Sequence, residues 1–124
     1  KAYVDKNLTK AKEVPPQPES QNIISQENLE IVKEGMKAVA TYGTAASFSS
    51  LPVSSGAKTG TAQFGPRNSR THSWLSVFAP FDEPQIALVV LVEGGGDGPT
   101  SAVPIAREVL RWYFGEYKPL ASGQ

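Results

Sequence analysis

Cysteine is absent from the 124-residue sequence, and histidine and methionine occur only once each. The lack of cysteine excludes a disulfide framework, a thiol nucleophile and any thiolate metal site. His72 has no companion histidine or cysteine, so a metal site has little support. We therefore expect no metal, and we expect His72 to be a strand residue that orients its neighbours.

An excess of charge of one sign is also missing, because Lys and Arg total 12 and Asp and Glu total 12. The balanced charge gives no overall electrostatic attraction for nucleic acid or anionic lipid, and a nucleic-acid partner is not expected.

The longest apolar run, Ile86 to Val92, is far shorter than the roughly 20 residues of a membrane-spanning helix. The start shows no signal-peptide pattern. A membrane anchor is accordingly expected only in a full-length protein that contains this chain.

The chain divides by composition into three parts. Residues 1–22 are polar and contain the proline-rich stretch Val14 to Pro18, which favours extended backbone and cannot propagate a helix. A chain of this length holds at most one domain. We predict a connector over residues 1–22, the ordered portion of a domain over residues 23–115 and a polar tail over residues 116–124.

Two amphipathic helices are predicted. The first runs from about Gln26 to Thr41, with Ser25 as its N-cap and Gly43 as its C-terminal stop. The second runs from about residue 101 to residue 114 and tolerates Pro104 in its first turn. The apolar residues at helical spacing are Leu29, Val32, Met36 and Val39 in the first helix and Ala106, Val109, Leu110 and Tyr113 in the second.

Three strands are predicted between the helices, over residues 57–64, 72–79 and 86–93. Gly65-Pro66 and the stretch from Pro80 to Pro84 form the connections. The third strand is continuously apolar, which indicates a sheet covered on both faces. The predicted fold class is α/β (an α+β sandwich), in which antiparallel strands of a larger sheet are flanked by an N-terminal and a C-terminal helix.

One short motif carries possible chemistry. Lys58-Thr59-Gly60-Thr61 places a cation, a residue without a side chain and two hydroxyls at the start of the first strand. A string this short is weak by itself, since it arises often by chance. The plain alternative is an edge strand with an exposed lysine.

The segments around the motif make it more specific. Together they resemble the end of the transpeptidase domain of class B penicillin-binding proteins, most closely the elongation type often called penicillin-binding protein 2. The resemblance makes residues 23–115 the C-terminal portion of that domain, and Ala57 departs from the glycine that the family commonly has there. The matching segments are residues 25–39, 43–45, 58–63, 72–75, 78–80, 90–95 and 104–106.

The resemblance implies the fold shared by penicillin-binding proteins and serine β-lactamases. Those enzymes use three motifs, Ser-x-x-Lys, Ser-x-Asn and Lys-Thr-Gly, of which only the third is carried over here. Ser55-Gly56-Ala57-Lys58 fits the first as text, but serine and lysine at i and i+3 of a strand point in opposite directions. Ser20-Gln21-Asn22 fits the second, but it lies in the connector and too near Lys58. We interpret both matches as coincidences.

The implied function is peptidoglycan D,D-transpeptidation by serine acyl transfer, without a cofactor. Lys58 and Thr61 would be catalytic, Lys58 by supporting proton transfer and Thr61 through a backbone N–H in the oxyanion hole. Thr59, Gly60 and Thr61 would bind substrate, the hydroxyls by holding a carboxylate and the glycine by leaving space. The expected partners are a D-Ala-D-Ala stem peptide, β-lactams and the N-terminal half of the transpeptidase domain. The expected location is the periplasmic face of the bacterial inner membrane.

Two alternatives stay open. A serine β-lactamase or a β-lactam sensor domain shares the motif and the fold, although Thr61-Ala62-Gln63 is more typical of the transpeptidases. A noncatalytic fragment with only a binding or structural role is the second alternative, because a chain without a nucleophile cannot perform this chemistry alone. We expect the isolated chain to be inactive.

Overall fold

The computed structural model describes residues 2–4, 10–13 and 23–116. Strands β1 (Ala2–Val4) and β2 (Lys10–Glu13) pair antiparallel inside the segment that composition assigns to a connector. Sequence reasoning missed this pair because the second strand lacks the β-branched and aromatic residues that favour strands. The proline-rich stretch at residues 14–18 and tail residues 117–124 lie outside the described residues.

Helix α1 spans Gln26–Thr41, as predicted. Ser25 has extended backbone, and its hydroxyl oxygen accepts a hydrogen bond from the Asn28 N–H at 3.3 Å, which caps the helix. Gly43 follows the end of the helix, as expected, and its N–H donates to the Ala38 carbonyl at 3.0 Å. A Cβ at this position would lie 2.7 Å from the Val39 Cα, so the glycine is required by close approach to the last turn.

The three predicted strands form one antiparallel sheet in the order β3-β4-β5. Strand β3 spans Gly56–Phe64, β4 spans Arg70–Ala79 and β5 spans Ile86–Val92. The predicted bounds are confirmed to within two residues at each end. Among the described residues β3 pairs only with β4, so the strand that carries the motif is an edge strand.

Helix α2 spans Val103–Gly115, after a wide turn over Gly98–Ala102. The turn includes residues 101 and 102, which the pattern assigned to the start of the helix, so the helix begins two residues later than predicted. Ala106 and Leu110 are fully buried, as expected. Val109 is 38% exposed, because it lies beside the buried stripe of Val103, Ala106 and Leu110.

The core lies on one face of the sheet. The side chains of alternate residues on β4, Leu75, Val77 and Ala79, are buried there. The helices and the short helical turn Ala46–Ser50 cover this face, through a cluster that includes Ala40, Phe48, Ala106 and Leu110. Both helices therefore pack on the same side of the sheet.

The opposite face, which we call the open face, carries Lys58, Gly60, Trp74, Ser76, Val89 and Leu91. Val89 is 65% exposed, Leu91 44% and Trp74 39%. The prediction of a sheet covered on both faces is therefore not met within the described residues. The physical reason is that the two helices of this part of the chain are used on the other face, which leaves apolar surface of β5 in contact with solvent.

Gly35 lies inside α1, and apart from its neighbours and the backbone of its own helix no atom lies within 4 Å of the place where its Cβ would be. Because alanine has the higher helix propensity and restricts the unfolded chain, Gly35→Ala is expected to raise the free energy of unfolding by about 0.5–1 kcal/mol. Urea unfolding monitored by circular dichroism measures the change. Gly43→Ala is the matched control and should destabilise, because its Cβ meets the backbone of Val39. A destabilised Gly35→Ala variant would contradict this reasoning.

Candidate active site

The strand register separates the motif into two sets of side chains. Lys58 pairs with Ser76 and Gly60 with Trp74, so both lie on the open face. Thr59 pairs with Leu75, and Thr61 pairs with Ser73. Since directly paired residues project to the same side of an antiparallel sheet, the two threonine hydroxyls lie on the face that the helices cover.

Lys58 is exposed, and its ammonium group donates a hydrogen bond to the Thr59 carbonyl oxygen. The side chain therefore folds back along the backbone of the motif. Its positive charge is held at the edge strand and stays in contact with solvent. A cation in this position can attract an anionic group that approaches the edge, through a charge-assisted hydrogen bond.

Thr59 is half-buried and is held from two sides. Its Oγ1 lies 2.8 Å from the Oγ1 of Thr44, which follows the end of α1. On the other side is Gly98, where an added Cβ would lie 2.9 Å from the Thr59 Cβ and 3.0 Å from the Trp74 carbonyl oxygen. Sequence reasoning did not select Thr44 or Gly98 as site residues.

Gly60 and Thr61 complete the motif on the edge strand. A Cβ at Gly60 would lie 3.3 Å from the Trp74 Cβ, so the glycine gives the tryptophan room on the open face. Thr61 is exposed, and its partner Ser73 is buried. The Ser73 hydroxyl oxygen accepts a hydrogen bond from the Ala102 N–H at 3.2 Å, which ties β4 to the start of α2.

The loop from Gly94 to Pro99 lies beside the motif, and β4 holds it at two points. The Gly94 N–H donates to His72 Nδ1 at 3.2 Å, and the Gly96 N–H donates to the Thr71 carbonyl at 3.4 Å. These contacts, with the bond between Ala102 and Ser73, direct Gly98 of the loop against Thr59. The loop thus forms a wall on the helix side of the motif.

Asp97 caps the turn that follows this loop. Its carboxylate accepts hydrogen bonds from the Thr100 hydroxyl and, at 3.1 Å, from the Thr100 N–H. The hydroxyl bond, followed by the amide bond, lowers the pKa of Asp97 below its ordinary value. Asp97 therefore stays ionised at neutral pH and holds the turn at the start of α2.

His72 lies on β4 and contacts both a neighbouring aromatic ring and the loop, in agreement with the prediction of a strand residue that orients its neighbours. Its ring stacks on Phe64, with 3.9 Å between ring centroids and an angle of 5° between planes. Arg70 lies 4.8 Å from the centroid of the same phenyl ring. Because Nδ1 accepts from Gly94, the hydrogen of the neutral imidazole is on Nε2. His72 therefore anchors the loop beside the motif.

The chance matches to the serine motifs are not assembled into a site. Ser55 is buried and precedes β3, whereas Lys58 is exposed on the strand, so the two do not share a face of a helical turn. Ser20-Gln21-Asn22 lies outside the described residues. A cleft of about 310 Å³ between α1 and residues 48–55 has none of the motif residues in its lining.

Residues 2–4, 10–13 and 23–116 were searched for metal-binding groups and for membrane-spanning helices. No group of three His, Cys, Asp or Glu side chains in this part of the chain is arranged to hold a metal ion. Of its helices, neither combines the length and the apolar character that a membrane crossing requires.

Residues 1–111 match the family model described as the penicillin binding protein transpeptidase domain. Among curated proteins, the peptidoglycan D,D-transpeptidase PbpA of Mycolicibacterium smegmatis is 47% identical over an alignment of 60 positions that covers 43% of this chain. The match covers only 12% of that relative. This chain therefore corresponds to a small part of such a protein.

Solved structures show the same likeness. Pseudomonas aeruginosa PBP2, in complex with WCK 5153, superposes with a TM-score of 0.68 and 32% identity over 82% of this chain and 23% of that one. Penicillin-binding protein A from M. tuberculosis, as a ceftriaxone acyl-enzyme, gives a TM-score of 0.64 and 28% identity over 86% of this chain and 25% of that one. In both cases the matched part includes most of the described fold.

Proposed function

The chain belongs to the penicillin-binding protein transpeptidase domain family, and from that premise we propose that it supplies the Lys-Thr-Gly half of the active site of a peptidoglycan D,D-transpeptidase. The other half, with the nucleophilic serine and the Ser-x-Asn motif, belongs to the N-terminal half of the same domain. The reaction is acyl transfer, in which the serine takes the acyl group of one stem peptide and passes it to an amine of another.

The observation that carries the proposal is the position of the motif on an edge strand. Strand β3 pairs with β4 on one side only among the described residues, so the backbone of residues 58–61 has a side that can receive an extended peptide. Lys58 brings a positive charge to this strand, and Thr59 and Thr61 bring hydroxyls. A peptide that ends in a carboxylate fits this combination.

Each motif residue has a defined task in the proposed reaction. Lys58 stabilises the network that moves the proton of the nucleophile and adds positive potential for the substrate carboxylate. The hydroxyls of Thr59 and Thr61 hold that carboxylate. The Thr61 N–H is one donor of the oxyanion hole, and the serine of the N-terminal half supplies the other. Gly60 leaves the strand accessible to substrate.

The proposed ligands are D-Ala-D-Ala stem peptides and the β-lactams that imitate them. The acyl-enzyme of penicillin-binding protein A from M. tuberculosis supports β-lactam binding in this family. Peptidoglycan lies outside the cytoplasmic membrane, so the site is proposed to work on the extracytoplasmic face of the bacterial inner membrane, as part of the full-length protein.

Covalent labelling with a fluorescent penicillin tests the proposal, followed by intact mass measurement of every polypeptide in the sample. The full-length protein is expected to take one label per serine nucleophile, and the chain of 124 residues alone is expected to take none. A full-length protein that is not labelled would overturn the proposal. Rapid release of the label as hydrolysed penicillin would favour a β-lactamase instead.

The partnership with the N-terminal half predicts a specific effect at Val89. This side chain is 65% exposed on the open face, where the rest of the domain is proposed to cover β5. In the full-length protein, Val89→Lys should lower the free energy of unfolding by roughly 1–3 kcal/mol, since a covered ammonium group loses hydration. Thermal and urea unfolding measure the change.

Val109→Lys is the matched control. Val109 is 38% exposed on α2, which packs on the covered face of the sheet. The same substitution there should change stability by less than about 0.5 kcal/mol, as is usual for surface positions. Equal, small effects at both positions would show that the open face stays in solvent.

A further inference from the structure

We propose that Thr44, which lies outside the Lys58–Thr61 motif, is a positioning residue that makes the Thr59 hydroxyl a hydrogen-bond donor to the substrate carboxylate. The inference rests on the proposed function, because it assigns a partner to a residue of that site. Its basis is the distance of 2.8 Å between Thr44 Oγ1 and Thr59 Oγ1. The two residues lie 15 positions apart and meet because α1 ends beside β3.

Thr44 is held in place by the end of α1. The Gly43 N–H donates to the Ala38 carbonyl at 3.0 Å, and the Ala45 N–H donates to the Val39 carbonyl at 3.1 Å. Ala45 is 1% exposed, so the residue after Thr44 is fixed in the core. The Thr44 side chain itself is exposed. Its hydroxyl therefore extends from a rigid bend toward β3.

Thr59 is restrained on its other side by the loop. The Cβ position of Gly98 lies 2.9 Å from the Thr59 Cβ and 3.3 Å from its Cγ2, so the carbon atoms of Thr59 face Gly98 while its hydroxyl faces Thr44. A rotation about χ1 of Thr59 would break the bond to Thr44 or move the methyl group out of this contact. The orientation of the hydroxyl is thus set before a ligand arrives.

The direction of the hydrogen bond follows from the chemistry of the ligand. Each hydroxyl has one hydrogen, and a carboxylate only accepts. When Thr59 gives its hydrogen to the carboxylate, its oxygen can stay bonded to Thr44 only as an acceptor. Thr44 must then donate. The donated bond polarises the Thr59 hydroxyl and strengthens its bond to the anion.

The test measures the second-order rate constant of acylation by a penicillin in full-length protein with Thr44→Val and with Thr44→Ser. Valine keeps the shape without the hydroxyl, and serine keeps the hydroxyl without the methyl group. Thr44→Val is expected to slow acylation about three- to tenfold, the size typical of one neutral hydrogen bond. Thr44→Ser should restore the rate to within about twofold of wild type, a result that a purely structural role would not give.

The methyl ester of the same penicillin separates carboxylate binding from general damage. The ester lacks the charge that strengthens the bond from Thr59, so Thr44→Val should slow its reaction less than that of the free acid. Equal slowing of both compounds, or equal defects in Thr44→Ser and Thr44→Val, would overturn the inference. Normal acylation of Thr44→Val would also overturn it. If wild-type protein is not acylated at all, the proposed function fails and the inference fails with it.

Discussion

Lys58→Met is expected to slow acylation by penicillin about 10²–10³-fold in the full-length protein, the loss typical of removing one group that stabilises charge in a transition state. Lys58 is the cation of the motif, and its ammonium group donates a hydrogen bond to the Thr59 carbonyl oxygen on the edge strand. Methionine keeps the unbranched chain but removes the charge and all three N–H donors. Stopped-flow labelling under pseudo-first-order conditions gives the rate constant.

Lys37→Met is a matched control that shows whether slower acylation results from losing the cation of the motif or from losing any lysine of the chain. Lys37 lies on α1, and its Nζ is 4.5 Å from the centroid of the Phe81 ring, which is not part of the motif. Lys37→Met should leave the acylation rate within about twofold of wild type, because the site keeps its own charge. Lys58→Arg should recover only part of the rate, since a planar guanidinium does not take the place of a compact ammonium. A normal rate in Lys58→Met would remove the motif from the catalytic site.

Most of the fold could be predicted from local pattern because its signals are local. Ser25, the apolar spacing of α1 and the glycine after it define the helix to the residue. Strand β3 ends just before Gly65-Pro66 and strand β4 ends just before Pro80, and glycine and proline are strong local signals for turns. The pair β1 and β2 was missed because pairing depends on a partner strand, whereas the residues of β2 favour no strand by themselves.

The candidate site was predicted in part. The motif stood out because its four residues are consecutive, although their roles stay proposals. Thr44 belongs to the matching segment at residues 43–45, but its contact with Thr59 spans 15 positions, and no sequence periodicity indicates it. Gly98 looked like one of several loop glycines, and only the packed structure shows which of them a side chain would disturb. Contacts between distant segments depend on tertiary packing, which a single sequence does not display.

Gly98→Ala is expected to impair both stability and acylation, because this glycine is where the loop meets the motif. The added Cβ would lie 2.9 Å from the Thr59 Cβ and 3.0 Å from the Trp74 carbonyl oxygen, and neither atom belongs to the free end of a flexible side chain. The loop or β3 must shift, and overpacking of this kind typically costs about 1–3 kcal/mol of unfolding free energy. A displaced Thr59 should slow acylation roughly tenfold or more, since small errors of position are costly in catalysis.

Gly115→Ala provides the comparison, because apart from its neighbours and the backbone of its own helix no atom lies within 4 Å of its Cβ position, and its backbone is not left-handed. That variant should acylate at the wild-type rate and should be no less stable than wild type, because alanine has a higher helix propensity than glycine and α2 ends at this residue. If Gly98→Ala loses stability but acylates normally at a temperature where it is fully folded, the loop is only a structural support. If it also loses acylation while Lys58 is intact, the wall beside the motif controls the position of Thr59. The second result would join the loop, Thr59 and Thr44 into one carboxylate-binding unit, because Thr59 is the residue that both neighbours hold.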